Sequence, residues 1–217
     1  MTLPVFTVLK EHLDSDNRYV GPENLADFAG HLEIDEKLGY VVFGAIKVAG
    51  HIWAKAGSGI KAGAGIEAGW GIKAGSGIKA GSGIKAGAGI EAGWGIKAGS
   101  GIKAGEGIEA GEGIEAGLGI EAGLGIKAGE GIKAGEGIKA GWGIEAGSGI
   151  EAGSGIEAGF SITCKARLRS GLRIFAGLCL WRLPKPDETR IECGRLEAGQ
   201  VAFGELIEAE PKAKAAE

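Results

Sequence analysis

The sequence has little of what most catalytic and metal sites are built from. Its 217 residues include three histidines, three cysteines, five prolines, two tyrosines and one methionine. The cysteines are odd in number and fit no metal-ligand spacing, so we expect buried, reduced thiols and no metal site. The histidines all lie near the N-terminus and share no motif. We therefore expect no catalytic residues, no cofactor and no enzyme activity.

Long apolar runs and an excess of one charge are also lacking. No apolar run approaches the roughly 18 residues of a membrane-spanning helix, and the N-terminus has no basic segment before an apolar one, so no secretory signal is expected. The formal net charge is −4, and residues 55–160 carry 10 Lys and 12 Glu. Such a mixed surface predicts no binding to nucleic acid or to membranes. We expect a cytoplasmic protein.

Glycine and isoleucine, in contrast, recur with great regularity. From Ile60 to Ile162 an isoleucine stands at every sixth position, in units of Gly-Ile-Lys/Glu-Ala-Gly-x, where x varies. Because six is even, an extended strand keeps its facing from unit to unit, with Ile and Ala inward and the charge outward. The Gly-x-Gly segment is expected to bend the chain, with glycine at positive φ. A short fixed period of this kind predicts a β-solenoid.

Three other structures compete with the solenoid. A helix is disfavoured because two glycines in each unit cost about 1 kcal/mol each relative to alanine. Disordered linkers do not hold isoleucine in register. A silk-like or cross-β array is the strongest rival, but nearly every unit carries a charge.

In this stretch the chain resembles hexapeptide-repeat β-helix proteins and, more loosely, the Gly-x-Ile-x-Ala ladders of bactofilin-like polymers. The resemblance implies an all-β, single-stranded β-solenoid. Hexapeptide acyltransferases use a histidine at a coil boundary, and His51 would be the corresponding candidate here. The left-handed hexapeptide pattern has a small, inward residue two positions before the aliphatic one, whereas this sequence places Trp, Glu or Leu there in many units. We therefore expect x to point outward at a corner, and handedness stays open.

The number of hexads in a coil is the main open point. Three hexads make an 18-residue coil, which stacks Glu109, Lys127 and Glu145 as alternating charges. Two hexads make a 12-residue coil, which avoids placing Glu112 over Glu130. The smaller coil has little room for the apolar burial that must offset ordering entropy. Three hexads are favoured, and two remain the alternative.

The solenoid is expected to be longer than its regular centre. Steps of six back from Ile60 reach Ala54, Val48 and Val42, and steps forward from Ile162 reach Leu168, Ile174 and Leu180. The predicted organisation is an N-terminal cap at 1–41, the solenoid at 42–183, a C-terminal cap at 184–207 and a disordered tail at 208–217.

Each cap should contain short elements. In the N-terminal cap we expect a strand at 5–9 and a short helix at 22–28, opened by proline and ended by glycine. In the C-terminal cap Ile191, Leu196 and Val201 step by five, which predicts short strands folding over the last coil.

The x position is where a binding site is expected. Large apolar residues occupy it at Trp70, Trp94, Leu118, Leu124, Trp142 and Phe160. In an 18-residue coil the last three stack along one edge, with Trp70 further along it. Exposed aromatic residues in a row are typical of a partner surface. The alternative is that these side chains fold back over the glycines and shield the backbone.

Two main function classes follow from this pattern. The first is a non-enzymatic structural or protein-binding rod that presents a rigid ridge to a partner protein or to itself, as an enzyme-occluding inhibitor or an assembly component. The second is a glycan-binding or adhesive module of a virus particle that uses exposed Trp. A hexapeptide-type acyltransferase is a third, disfavoured because no loop interrupts the repeat to form a pocket.

Overall fold

The fold is a parallel, single-stranded β-solenoid with three faces. The computed structural model describes residues 2–209 and shows about 10 turns with a regular spacing of about 18 residues. Ile84, for example, pairs with Ile66 on one side and with Ile102 on the other. The prediction of three hexads in a coil is confirmed, and each hexad contributes one strand to one face.

The strands fall on three faces, which we number in chain order. Face 1 contains Val5–Val8, His31–Ile34, Ile52–Ala54, Ile72–Ala74, Ile90–Ala92, Ile108–Ala110, Ile126–Ala128, Ile144–Ala146, Ile162–Cys164, Arg190–Cys193 and Glu205–Glu208. Face 2 contains Gly39–Phe43, Ser58–Ala62, Ile78–Ala80, Ile96–Ala98, Ile114–Ala116, Ile132–Ala134, Ile150–Ala152 and the first half of Arg167–Ala176. Face 3 contains Ile46–Val48, Ile66–Ala68, Ile84–Ala86, Ile102–Ala104, Ile120–Ala122, Ile138–Ala140, Ile156–Ala158 and the second half of Arg167–Ala176.

The core is a stack of isoleucine and alanine side chains. From Ile60 to Ile162 each isoleucine of the repeat is at most 1% exposed, and the residue two positions later, which is alanine in every unit except for Cys164 in the last, is also buried. Burying one isoleucine contributes roughly 1.5–3 kcal/mol before the cost of ordering the chain. The residue between them points outward on every face, as the alternation of a strand requires.

The glycines of the repeat serve close packing and not an unusual backbone conformation. Positive φ occurs at only five glycines in the described chain, and none belongs to the regular Gly-x-Gly corners. The expectation of positive φ was therefore wrong. A Cβ on Gly135, which follows the alanine of its unit, would collide with the carbonyl oxygen of Gly117 in the coil before. Glycine is required there so that two backbones can approach each other.

At the N-terminal side, stepping back by six gave the wrong register. Ala54 pairs with Ala74 and Val48 with Ala68, so both occupy the alanine column, while Val42 lies over the outward-facing Lys61. The corner between Ala54 and Ile60 is two residues longer than in the repeat and contains Gly57 at φ 74. Ile46 and Ile52, six residues apart in their own register, fill the isoleucine column instead.

At the C-terminal side, the register holds for two further strands. Leu168 pairs with Ile150 and Ile174 with Ile156, as predicted. Leu180 does not continue the column: it is 95% exposed, and Ile191 pairs with Ile162 in its place. A loop at 177–189, which ends in the 3-10 helix Pro186–Thr189, separates the two.

The predicted five-residue steps form the last coil. Leu196 pairs with Leu168 and Val201 with Ile174 along the strand Arg195–Phe203. Leu206 then pairs with Ile191, which closes the coil on face 1. Of the predicted tail, Glu208 ends a strand, and residues 210–217 lie outside the described part of the chain.

The N-terminal segment is an irregular coil that closes its end of the core. The strand Val5–Val8 is present, close to its predicted bounds, and the 3-10 helix Lys10–His12 follows. The helix predicted at 22–28 does not form. The N–H of Phe28 instead donates a hydrogen bond to the carbonyl of Lys47 in the next coil. Five aromatic side chains pack together at this end: Phe6, His12, Tyr19, Phe28 and Phe43.

Candidate functional site

The x residues form three columns along the three corners of the rod. Corner 1, between faces 1 and 2, holds Ser76, Trp94, Glu112, Glu130, Ser148 and Ala166. Corner 2, between faces 2 and 3, holds Ala64, Ser82, Ser100, Leu118, Glu136, Ser154 and Leu172. Corner 3, between faces 3 and 1, holds Gly50, Trp70, Ala88, Glu106, Leu124, Trp142 and Phe160. Within each column the N–H of an x residue donates to the carbonyl of the x residue one coil earlier, which fixes its position.

Corner 3 brings together four of the six residues singled out from the sequence. Leu124, Trp142 and Phe160 are consecutive in the column, and the N–H of Phe160 donates to the Trp142 carbonyl at 3.2 Å. Trp70 lies further along the same corner. Trp94 and Leu118 lie on corners 1 and 2, so they do not join this group.

Trp181 extends the row beyond the repeat. Its ring centroid lies 6.2 Å from that of Phe160, which in turn lies 6.3 Å from that of Trp142. The guanidinium of Arg182 covers the Phe160 ring at 4.7 Å. We call Leu124, Trp142, Phe160 and Trp181 the apolar ridge. Trp142 and Trp181 are 47% and 61% exposed.

Sequence reasoning missed Trp181 because it lies outside the six-residue register. Its signal was the apolar segment 178–183, which breaks the period. The loop that carries it is held by Arg182, which donates two hydrogen bonds of 2.7 Å to the Glu188 carboxylate. These bonds, with one from the Lys185 N–H, lower the pKa of Glu188 to about 2. Two leucines of this ordered loop, Leu180 and Leu183, are almost fully exposed.

The rings of Trp70 and Trp94 each pack against another side chain of the same chain. The Trp70 ring packs edge-on against His31 with centroids 4.8 Å apart, and Trp94 packs in the same way against Tyr40 at 6.3 Å. Both nevertheless remain about half exposed. Trp142 differs, because its aromatic neighbour Phe160 belongs to the same ridge.

The outward-facing charges form columns on each face. Seven Lys–Glu pairs link neighbouring coils at N–O distances of 2.8–3.8 Å, among them Lys73–Glu91 and Lys97–Glu115. All of them are exposed, so each contributes at most about 1 kcal/mol to stability. A groove beside corner 3 runs along face 1, with Leu124 and Trp142 on one side and the face 1 charges on the other.

Two of the three histidines, which share no sequence motif, lie side by side in the fold. The rings of His31 and His51 stack with centroids 4.1 Å apart, and His31 Nδ1 accepts the backbone N–H of His51. Burial and the neighbouring His31 lower the pKa of His51, and its buried Nε2 has no hydrogen-bond partner in the described chain. The pair sits under Trp70 and supports that end of corner 3.

Two cysteines face the core. Cys164 and Cys193 are buried and Cys179 is partly exposed, and all three are free. Burial raises the pKa of Cys164 to about 11 and also raises that of Cys193, which disfavours the reactive thiolate.

Residues 2–209 contain neither a cluster of metal-binding side chains nor a membrane-spanning helix. No group of three or more His, Cys, Asp or Glu side chains there is placed to hold a metal ion. No helix in that range is long and apolar enough to cross a bilayer.

The fold and its corners define a parallel β-solenoid with an apolar row on one edge. Comparison with protein-family models, with curated proteins and with solved structures found no match for the chain.

Proposed function

We propose that this protein is a non-enzymatic, cytoplasmic rod that binds a protein, either a different chain or a second copy of itself, through the apolar ridge. The observation that carries this proposal is the ridge itself, a continuous row of large apolar side chains in which Trp142 and Trp181 are exposed and Leu124 and Phe160 are partly buried. Elsewhere on the three corners, exposed large apolar residues such as Trp94 and Leu118 stand singly between small or charged residues. Partner surfaces are typically centred on such aromatic anchors.

The rigidity of the apolar ridge also supports a binding function. Each ridge residue of the repeat is fixed by a backbone hydrogen bond to the next coil, and Trp181 is fixed through the Arg182–Glu188 pair. A surface that is already ordered loses little conformational entropy on binding. The resemblance to bactofilin-like polymers is in keeping with a structural or assembly role.

A photoreactive residue on the ridge tests this function. Benzoylphenylalanine would replace Trp142, and in a control chain Ser148, which occupies corner 1 of the same coil. Irradiation in cells should attach a polypeptide at position 142 and not at 148. Equal labelling at both positions, no polypeptide at 142, or attachment of a glycan there would overturn the proposal.

A melting experiment accompanies this test. Trp142→Ser should leave the melting temperature nearly unchanged, because serine already fills the equivalent corners at Ser148 and Ser154. A large fall in melting temperature would show that Trp142 is structural and that the partner surface lies elsewhere.

A further inference from the structure

The charges on the two faces beside corner 3 are arranged symmetrically about one level of the rod. On face 1 the outward column runs Lys73, Glu91, Glu109, Lys127, Glu145. On face 3 it runs Lys47, Glu67, Lys85, Lys103, Glu121, Lys139, Glu157. Both columns are centred on the coil that contains Glu106, and in both the signs on one side of the centre are opposite to those on the other.

A second copy laid antiparallel along corner 3 would therefore meet the first with opposite charges at every level except the central one, where Glu109 faces Glu109 and Lys103 faces Lys103. With a two-fold axis level with Glu106, Lys73 faces Glu145 and Glu91 faces Lys127 across face 1. Across face 3, the facing pairs are Lys47 with Glu157, Glu67 with Lys139, and Lys85 with Glu121. Face 2, on the far side of the rod, has this property only in part: about the same level Lys97 would face Glu115 and Lys61 would face Glu151, but Lys79 would face Lys133.

The corner 3 column is compatible with the same reversal. Trp70 faces Trp142, and Ala88 faces Leu124, so that a small residue lies opposite a larger one. Glu106 faces its own copy on the axis. On either side of the Glu106 pair the contact would have an apolar centre line, with charged margins beyond it, which is the usual layout of a protein interface.

We propose that two copies of this chain pair side by side and antiparallel, corner 3 against corner 3, about a two-fold axis level with Glu106. This inference rests on the proposed function and names a second copy as the partner. A two-fold contact is self-complementary, so each pair of facing charges occurs twice. The charge columns of faces 1 and 3 fix how the two copies are aligned along the rod, because other alignments would bring like charges together. The corner 3 residues between these columns supply apolar contact.

Charge exchange between two variants tests the pairing. Lys73→Glu places glutamate opposite Glu145 of the second copy, and Glu145→Lys places lysine opposite Lys73. Each variant alone should dissociate at least about tenfold more readily than the wild type, as measured by sedimentation equilibrium. Mixed in equal amounts, the two should form a heterodimer of nearly wild-type affinity, because both facing pairs are then opposite in sign.

Face 2 provides a matched control. Lys97 pairs with Glu115 at 2.8 Å within its own chain, as Lys73 does with Glu91, at similar exposure. Lys97→Glu therefore loses the same intrachain contact and should leave dimerisation unchanged. A wild type that is monomeric at every concentration, a mixture no tighter than either variant alone, or an equal effect of Lys97→Glu would each overturn the inference.

The position of the axis has its own test. Because Glu106 faces its own copy, Glu106→Gln removes a repulsion and should tighten the dimer several-fold. Glu112→Gln, on corner 1 of the same coil, should have no effect. A Glu106→Gln dimer that is weaker than the wild type, or no tighter than the Glu112→Gln control, would contradict the proposed axis.

The two proposals fail in different ways. If the chain is monomeric and position 142 still attaches a different polypeptide, the pairing is wrong and the protein-binding function stands. If position 142 attaches no polypeptide, both are wrong.

Discussion

The two glycines that flank Glu136 on corner 2 differ in whether they can accept a side chain. At Gly135 an added Cβ would collide with the backbone of the coil before. At Gly137, two residues later on the same corner, the nearest atom to an added Cβ is the Gly155 carbonyl oxygen at 3.4 Å. In this pair the first glycine therefore sets the spacing between coils, and the second has room for a methyl group.

Alanine substitutions separate these two glycines. Gly135→Ala should lower the free energy of unfolding by about 1–3 kcal/mol, since backbone must move to admit the methyl group. Gly137→Ala should be nearly neutral in the same thermal or denaturant melt. Equal effects at the two positions would contradict the close-approach explanation.

His51 should make the N-terminal end of the rod sensitive to acid. Its pKa is lowered from 6.5, first by burial and then by His31, so the unfolded chain binds a proton more readily than the folded one. The stability from the neutral ring is fully present above pH 6.5 and is lost as pH falls through the lower folded pKa. Melting temperatures at pH 7.5 and 5.5 should differ more for the wild type than for His51→Gln, and identical differences would refute this role.

At the scale of elements, the sequence predicted the regular strands better than the corners that interrupt them. Strands such as Ile84–Ala86 follow from inward isoleucine and alanine at an even period. The displaced register at Ala54 does not follow from the period of the sequence, because it depends on contacts with the preceding coil. Ser58 Oγ donates to the Asp35 carbonyl and accepts the Leu38 N–H, which stabilises the longer corner.

Of the apolar ridge, the sequence predicted the residues that belong to the repeat but not the residue that the loop contributes. The stacking of Leu124, Trp142 and Phe160 follows from the 18-residue coil, which was favoured over its alternative. The placement of Trp181 against Phe160 could not follow from periodicity. It depends on how the non-repeating loop folds back, and that is decided by the Arg182–Glu188 hydrogen bonds.

The loop at 177–189 should open when that pair is removed. Glu188→Gln replaces the charged acceptor of Arg182, so trypsin should cleave after Arg182 about tenfold faster while the solenoid itself stays folded. Asp187→Asn is the control and should leave the cleavage rate unchanged. Since the pKa of Glu188 is about 2, the wild-type loop should stay closed in mildly acidic buffer. A Glu188→Gln chain as resistant as the control would show that other contacts hold the loop.

At the scale of the whole molecule, the coil is the unit that can be removed. Deleting residues 90–107 takes out one full coil, and every later residue keeps its face and corner. Deleting only residues 90–95 transfers every later strand to a different face. We expect the first deletion to melt within a few degrees of the wild type and the second to melt far lower, because stacking free energy is shared between neighbouring coils. A mild effect of the short deletion and a severe effect of the long one would contradict the three-hexad coil.

A chain built from nearly identical six-residue units can become longer or shorter by whole units without losing its period, yet such changes are not equivalent. The addition of a single hexapeptide would move Phe160 and all that follows to another corner, whereas eighteen codons at a time would preserve every column. The length of this protein can therefore drift between generations only in steps of a whole coil if its apolar ridge is to persist.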